Sequence, residues 1–325
     1  MNVIAFRLPN ASESYIYECA GVDYNFEFRP GHHGYVVKPF HPSSLLFFYE
    51  FIKPLPAIPS GCIKDNDTSS EFRILDKSEY GNYIDNIKAS LNGNLDKKIV
   101  ASRRHRVCHV TNPQKLFETL CARYPDAFVF FISVEEFGTW IGASPELLLQ
   151  REGVKLMTMS LAGTRKAGDT SEWSDKNLKE QRIVTDFIRT TFGNIGLKCR
   201  EGELCTKRAG AIEHLMTTIQ AESLPATDIR ELLSLLSPTP ALSGFPKEYA
   251  IDMITRHEGD RKLYGGFAGP IFADGNFILN VLLRCAHLSP YNSTLFAGGG
   301  ITALSDPEEE WEETENKFAT LKNFF

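Results

Sequence analysis

Glu180 precedes Ile183, Val184 and Phe187 by three, four and seven residues. On a helix that spacing puts its carboxylate on the apolar stripe, where a charge needs a partner, either a lysine or a metal ion. A second acidic strip follows later in the chain. At about 100° per residue, Glu310, Glu313 and Lys317 run beside an apolar face made of Trp311, Phe318, Leu321 and Phe325. Glu308, Glu309, Glu312 and Glu315 fall further out, as a solvated face at a helix N-terminus, where negative charge is favourable. Two helices offering carboxylates to one interior suit a hard cation. Oxygen-only ligands of this kind suit Mg2+, which keeps waters and binds through one or two carboxylates plus a substrate. Spacing alone does not pair the two helices.

A competing metal set, His105, Cys108 and His109, fails if Ile99 opens a strand. Positions 105 and 109 then share a face but lie ~13 Å apart at about 3.3 Å per residue, too far to share one ion. Gly265-Gly266 and Gly298-Gly299-Gly300 match neither a phosphate-binding loop nor a dinucleotide fingerprint. Each is read either as a tight turn or as backbone N–H groups left open to a carboxylate. No nucleophile-elbow or zinc-protease motif is present.

Elements must position these groups. Strand signals occur at Ile99-Val100-Ala101, 127–134, 139–141, 154–159 and 277–288. The last is apolar on both alternating faces, as a strand covered on both sides would be, which points Arg284 inward with Ile278 and Leu282. One helix is expected to start within 171–175 and stop at Gly193, and another to start at the cap Ser305-Asp306-Pro307. Sheet and helix without regular βαβ alternation favour an α+β class. Pro54, Pro56, Pro59, Gly61 and the polar run Asp65-Asn66-Asp67 read as a loop between a thin N-terminal part and the rest. Residues 1–90 carry little chemical signal.

The 325 residues have a net charge of −6 and are 42% hydrophobic, an ordinary soluble composition. The absence of a basic block argues against nucleic acid or an anionic membrane as the main partner. No basic leader precedes an apolar stretch, and no run approaches the ~18 apolar residues of a membrane span. Seven scattered cysteines without a CxxC pair suit free thiols in a reducing compartment. A cytoplasmic protein is expected.

Gly142-Ala143-Ser144-Pro145-Glu146-Leu147-Leu148, followed by Leu161-Ala162-Gly163-Thr164-Arg165, resembles the chorismate-utilising enzymes. Further segments fit in the same order: 98–103, 176–180, Glu213-His214-Leu215, 238–246, Leu263-Tyr264-Gly265-Gly266, Leu283-Arg284-Cys285-Ala286, 297–301, and 310–314 with Lys317. The motifs cover about residue 95 to the end, within a single catalytic domain spanning 1–325. The resemblance implies an α+β fold with a large two-layered, mainly antiparallel sheet core, helices outside, and a Mg2+-dependent chorismate site. By the same resemblance Glu180 and Glu313 are metal ligands, with Glu310 close by. Arg284 and Tyr264 hold the enolpyruvyl carboxylate, Gly298, Gly299 and their neighbours offer N–H groups, and Lys317 adds positive charge. Ala162, Gly163 and Thr164 line the reacting ring, and His214 is a pocket histidine of open role.

Chemistry at this ring adds a nucleophile at C2 and loses the C4 hydroxyl, so a base and an acid are required on opposite sides. Lys98 matches the base that activates water in isochorismate and salicylate synthases, and Glu146 the acid that protonates the departing oxygen. A catalytic lysine must be partly neutral and the glutamic acid must stay protonated. Ammonia-using relatives typically lack this lysine, and the aminodeoxychorismate type commonly has a lysine where Ala162 stands. The segment 238–244 resembles isochorismate synthases more than salicylate synthases, which also eliminate pyruvate. The implied activity is therefore isochorismate synthase, an isomerase, with no obligatory amidotransferase partner. Salicylate synthase and, less so, an ammonia-using anthranilate or aminodeoxychorismate synthase subunit are the alternatives. Whether the product feeds menaquinone, a siderophore or salicylate depends on the next enzyme. Ser160, where the family often has proline, is expected to loosen the ring-lining loop.

Overall fold

The computed structural model describes residues 1–64, 72–94, 97–110, 112–210, 212–224 and 227–325, so the polar run 65–67 lies outside the described residues. From the N-terminus run β1 (Asn2–Arg7), β2 (Tyr15–Asp23), β3 (Gly34–Lys38), β4 (Phe47–Pro54), α1 (Lys77–Leu91), β5 (Lys98–Cys108) and α2 (Pro113–Arg123). The middle supplies β6 (Phe128–Val134), β7 (Gly138–Ser144), β8 (Leu147–Glu152), β9 (Lys155–Lys166), α3 (Asp175–Asn194), β10 (Cys199–Glu201), β11 (Cys205–Ala209), β12 (Ile212–Glu222) and α4 (Ile229–Leu236). The rest holds β13 (Gly244–Phe245), α5 (Lys247–Glu258), β14 (Phe267–Ile271), β15 (Phe277–Val281), β16 (Cys285–Leu288), β17 (Asn292–Ile301) and α6 (Pro307–Lys322).

Every pairing among these strands is antiparallel, and the ladders join end to end. One half runs β13-β5-β17-β16-β7-β6-β1-β2. The other runs β4-β3-β14-β15-β8-β9-β12, with β10 and β11 sharing the free edge of β12. The joint is the β2–β4 ladder, whose register shifts on either side of Cys19. There the sheet folds on itself. Phe6, Phe128 and Phe130 of the first half and Tyr35, Val37 and Tyr49 of the second form one buried cluster between the layers. Helices α2 and α6 cover the outside of the first half through Leu116, Phe117 and Phe318. Ile84, Val184, Leu232 and Ile254, from α1, α3, α4 and α5, join the remaining core. This is the expected α+β arrangement of a two-layered antiparallel sheet with helices outside.

The helices that matter begin where their caps dictate. The Ser174 side chain accepts the Asn177 N–H at 3.3 Å, and Asp306 accepts those of Glu308 and Glu309 at 2.9 and 3.2 Å, with Pro307 in the first turn. Helix α3 buries Val184, Ile188 and Phe192 completely, roughly 1.5–3 kcal/mol each relative to exposure, and this fixes which face Glu180 shares.

The first 54 residues are woven into the sheet: strand β1 lies between β2 and β6, and β3 between β4 and β14. One expectation is corrected: 277–288 is not one strand. It breaks between β15 and β16, and Arg284 takes φ 46°, a left-handed conformation. Arg284 is buried as expected, but through this backbone turn rather than by strand alternation, at a cost of roughly 1–3 kcal/mol that the surrounding packing must offset. All seven cysteines are free. No helix among the described residues is long and apolar enough to cross a membrane.

Candidate active site

A narrow pocket of about 60 Å³ opens where β5, β9, β12 and β17 meet α3 and α6. It is lined by Lys98, Glu146, Glu180, His214, Arg284 and Lys317. Ala162, Gly163, Thr164, Tyr264, Gly298, Gly299 and Glu313 also line it, so of the candidate residues only Glu310 stands just behind the wall. A larger hollow of about 870 Å³ lies along β9, β10 and β12, but its charged groups, Glu152, Lys155, Lys198, Arg200 and Glu222, are all exposed. Perturbed, buried groups mark the smaller pocket as the chemical one.

Strand β9 shapes one wall. Its register against β12 shifts so that Gly163 and Thr164 together oppose His214. The expected ring-lining loop is thus a bulge within a strand, made possible by the φ of 67° at Gly163, and it re-aims His214 into the pocket. The Thr164 N–H donates to Asn177 Oδ1 at 3.3 Å, which fastens the bulge to the first turn of α3, one turn before Glu180. Ser160 does not loosen this strand. Its hydroxyl lies 2.8 Å from both Gln181 Nε2 and Thr185 Oγ1, so it ties β9 to α3.

His214 Nδ1 lies 2.8 Å from the Gly163 carbonyl, and Arg284 Nη2 lies 3.0 Å from His214 Nε2. Burial, then the Arg284 and Lys317 charges, pull the imidazole down to about 3. The ring is therefore neutral, donates from Nδ1 to the carbonyl and accepts from the guanidinium. Arg284 Nη1 also donates to Thr320 Oγ1 at 3.2 Å, so the guanidinium is held from two sides.

The acid and base candidates are both buried. Lys98 Nζ lies 3.6 Å from Glu180 Oε2. Glu146 is 2% exposed, and burial lifts its carboxyl to about 8 even though Lys98, Lys207 and Arg284 pull the other way. It is a neutral acid at pH 7.

The glycine run occupies the end of β17. Opposite it, Ser102 donates its N–H to Glu258 Oε1 at 2.7 Å and Val100 to the Ser243 carbonyl at 2.9 Å. Gly298 and Gly300 consequently sit at the non-hydrogen-bonded positions of the β5–β17 ladder and turn their N–H and C=O away from β5, whereas Gly299, expected to offer its N–H, faces β5 opposite Ala101. On that side the β16 ladder has already ended at Leu295. A Cβ on Gly299 would sit 2.7 Å from Glu310 Oε2 and 3.3 Å from Glu313 Oε1. One on Gly300 would sit 2.6 Å from Lys98 Cε and 2.9 Å from Glu180 Oε2. The glycines thus open N–H groups and also make room for the acidic side chains.

The three carboxylates are of the type a hard cation takes, and Glu310 Oε2 is buried with no hydrogen-bond partner among the described residues, an oxygen left open to a cation. Among the described residues no three ligand-type side chains already converge on one point. Lys176, at the start of the 176–180 segment, bonds Glu310 and lies 3.9 Å from Glu180, while Lys317 Nζ bonds Glu313 Oε1 and the Gly298 carbonyl, both at 2.6 Å. Glu310 is raised to about 7 by burial and by Glu313; burial also opposes ionisation of Glu313, but Lys317 and Lys176 outweigh it and hold that carboxyl at about 2. The lysine-partner reading of Glu180 and the cation reading therefore describe the same carboxylate. His105 packs on Phe318 and Cys108 is exposed.

Comparison with known proteins gives a consistent family. The family model described as chorismate binding enzyme matches residues 59–325. Isochorismate synthase EntC of Escherichia coli is 34% identical over 227 residues, 65% of this chain and 57% of its own length. The salicylate biosynthesis isochorismate synthase of Pseudomonas aeruginosa is 29% identical over 306 residues, 90% of this chain and 63% of its own. This chain thus spans about three-fifths of the length of these relatives. The solved structure of MenF, the menaquinone-specific isochorismate synthase from Escherichia coli, aligns with TM-score 0.80 at 21% identity, over 99% of this chain and 89% of that one, a likeness of fold.

Proposed function

The chain belongs to the chorismate binding enzymes, and on that premise we propose that it is an isochorismate synthase, an isomerase that reversibly converts chorismate to isochorismate. The observation that carries this reading is a buried lysine and a buried, protonated glutamic acid lining one pocket, Lys98 and Glu146. Lys98 takes a proton from water as the water oxygen bonds to C2. The ring double bonds shift, the C4–O bond breaks, and Glu146 gives its proton to the departing oxygen, which leaves as water. The lysine gains charge as the glutamate becomes anionic, so the pocket's net charge is conserved through the step.

Arg284, steadied by His214, and Tyr264 hold the enolpyruvyl carboxylate, with the outward N–H groups of Gly298 and Gly300 beside them. Ala162, Gly163 and Thr164 set the ring plane. Glu180, Glu310 and Glu313 would hold Mg2+, whose charge would offset that of the ring carboxylate. The whole of 1–325 acts as one catalytic unit, without an amidotransferase partner. Ala162 offers no amine for a covalent intermediate, and Lys98 supplies the base that water requires.

The test is incubation of the purified protein with chorismate and Mg2+ without ammonia, separating products and assaying pyruvate. A chorismate–isochorismate mixture free of pyruvate supports the reading. Stoichiometric pyruvate with salicylate, or product only when ammonia is added, replaces it with the corresponding branch of the family.

A further inference from the structure

Lys207 belongs to no motif and stands on the edge strand β11, opposite His214 in the β11–β12 ladder. Directly opposed residues of an antiparallel pair point to the same face, so Lys207 reaches toward the side on which His214 enters the pocket. Its ammonium donates to the Pro145 carbonyl at 2.7 Å. Pro145 is buried, lines the pocket and immediately precedes Glu146. Lys207 does not itself line the pocket. It braces the acid from behind.

Beside Lys98, the base of the proposed reaction, two cations face Glu146 among the described residues: Lys207 from β11 and Arg284 from the β15–β16 connection. In the proposed reaction Arg284 is engaged by a substrate carboxylate and Lys98 by the proton of water. Lys207 is the one whose charge neither event uses. We propose that Lys207 is a positioning residue for the acid: by holding the Pro145 carbonyl it fixes the Glu146 backbone, and its charge stabilises the carboxylate left when Glu146 has given up its proton. This rests on the reading of Glu146 as the acid.

Removing that charge makes Glu146 a weaker acid, so two effects of opposite appearance follow. Turnover falls near neutral pH, while the basic limb of the pH profile moves upward. The experiment compares wild type, Lys207→Met and Lys207→Arg with chorismate and Mg2+ between pH 6 and 10, with circular dichroism as a check on folding. The expected result for Lys207→Met is a kcat about tenfold lower, a KM within about twofold of wild type, and a basic limb raised by about half a unit to one unit. Lys207→Arg should restore both kcat and the limb. An unchanged kcat and limb in Lys207→Met overturns the proposal. So does a loss of activity with the limb unmoved and no recovery in Lys207→Arg, which would mean packing alone. A misfolded Lys207→Met leaves Lys207→Gln to decide, since it removes the charge but keeps a donor: a raised limb supports the proposal and a wild-type limb overturns it. Failure of the underlying reading shows separately, as wild-type turnover in Glu146→Gln.

Discussion

Arg284 Nη2 and His214 Nε2 meet at 3.0 Å, a contact in which a guanidinium donates to an imidazole kept neutral by its surroundings. A free histidine with pKa near 6.5 would compete for a proton at this position and repel the arginine. Here burial, Arg284 and Lys317 hold the ring at about 3, so it titrates outside the working range.

His214→Asn should therefore raise KM for chorismate about tenfold by loosening Arg284, with a smaller effect on kcat and no change in either limb of the pH profile. A separate effect concerns stability. The folded pKa lies below the unfolded one, so this group's contribution is present above about pH 6.5 and is lost as pH falls, at up to ~1.4 kcal/mol per unit. Urea unfolding at pH 7, 6 and 5 should show wild type losing ground to the variant. A stability difference that is constant with pH contradicts the neutral ring.

Glu146 has the opposite sign. Its folded pKa of about 8 lies above the ordinary value, so folding at pH 7 requires it to take up a proton, a penalty absent below the unfolded pKa and growing as pH rises toward 8. Glu146→Gln keeps a neutral side chain without that penalty. It should be inactive yet more stable than wild type by ~3 kcal/mol at pH 7, with the gain vanishing near pH 4. For wild type, kcat/KM should fall above about pH 8 as the acid ionises. An active or less stable Glu146→Gln would remove the residue from its proposed role.

Lys98→Ala should nearly abolish turnover, by ~10³-fold or more, while leaving the fold intact, since Glu180 keeps Lys176 at 3.9 Å. Activity near that of wild type would return Lys98 to a structural role.

Glu180→Gln and Glu313→Gln should each shift the Mg2+ dependence of activity to about tenfold higher concentration, because each removes one of few carboxylate donors. Superimposable Mg2+ titrations in wild type and both variants would end the proposed ligand role.

Gly300→Ala tests the crowding directly. The added Cβ would meet Lys98 Cε at 2.6 Å and Glu180 Oε2 at 2.9 Å, both far ends of flexible side chains that can yield. Stability should change by no more than ~1 kcal/mol while activity falls at least ~10-fold, because the atoms that move are the functional ones. Activity retained within twofold would show that Lys98 and Glu180 need not sit where they do.

Much of the site was legible where its signal was local. The polar run 171–175, and Asp306 with Pro307, announce α3 and α6, and helical periodicity alone exposes Glu180 as a charge on the wrong face. What sequence reasoning missed depends on distant pairing. Lys207 acquires meaning only because β11 opposes His214 and its ammonium reaches Pro145, 62 residues away. The Gly163–Thr164 bulge exists only against β12, and the inward course of Arg284 comes from a left-handed turn that a period-two pattern does not encode. The N-terminal strands were opaque for the same reason, since the partners of β1 include 129–133 as well as its near neighbour β2.

That last arrangement means that a boundary of sequence similarity need not be a boundary that a protease or a truncation could respect. The family match begins at residue 59, after β4 has ended, yet β1 to β4 close the seam between the two halves of the sheet. Cutting them away would bare the backbone of β6 along one half and of β14 along the other. Two long unpaired edges of that kind recruit strands from neighbouring molecules, so the trimmed chain would self-associate rather than persist as a smaller catalyst.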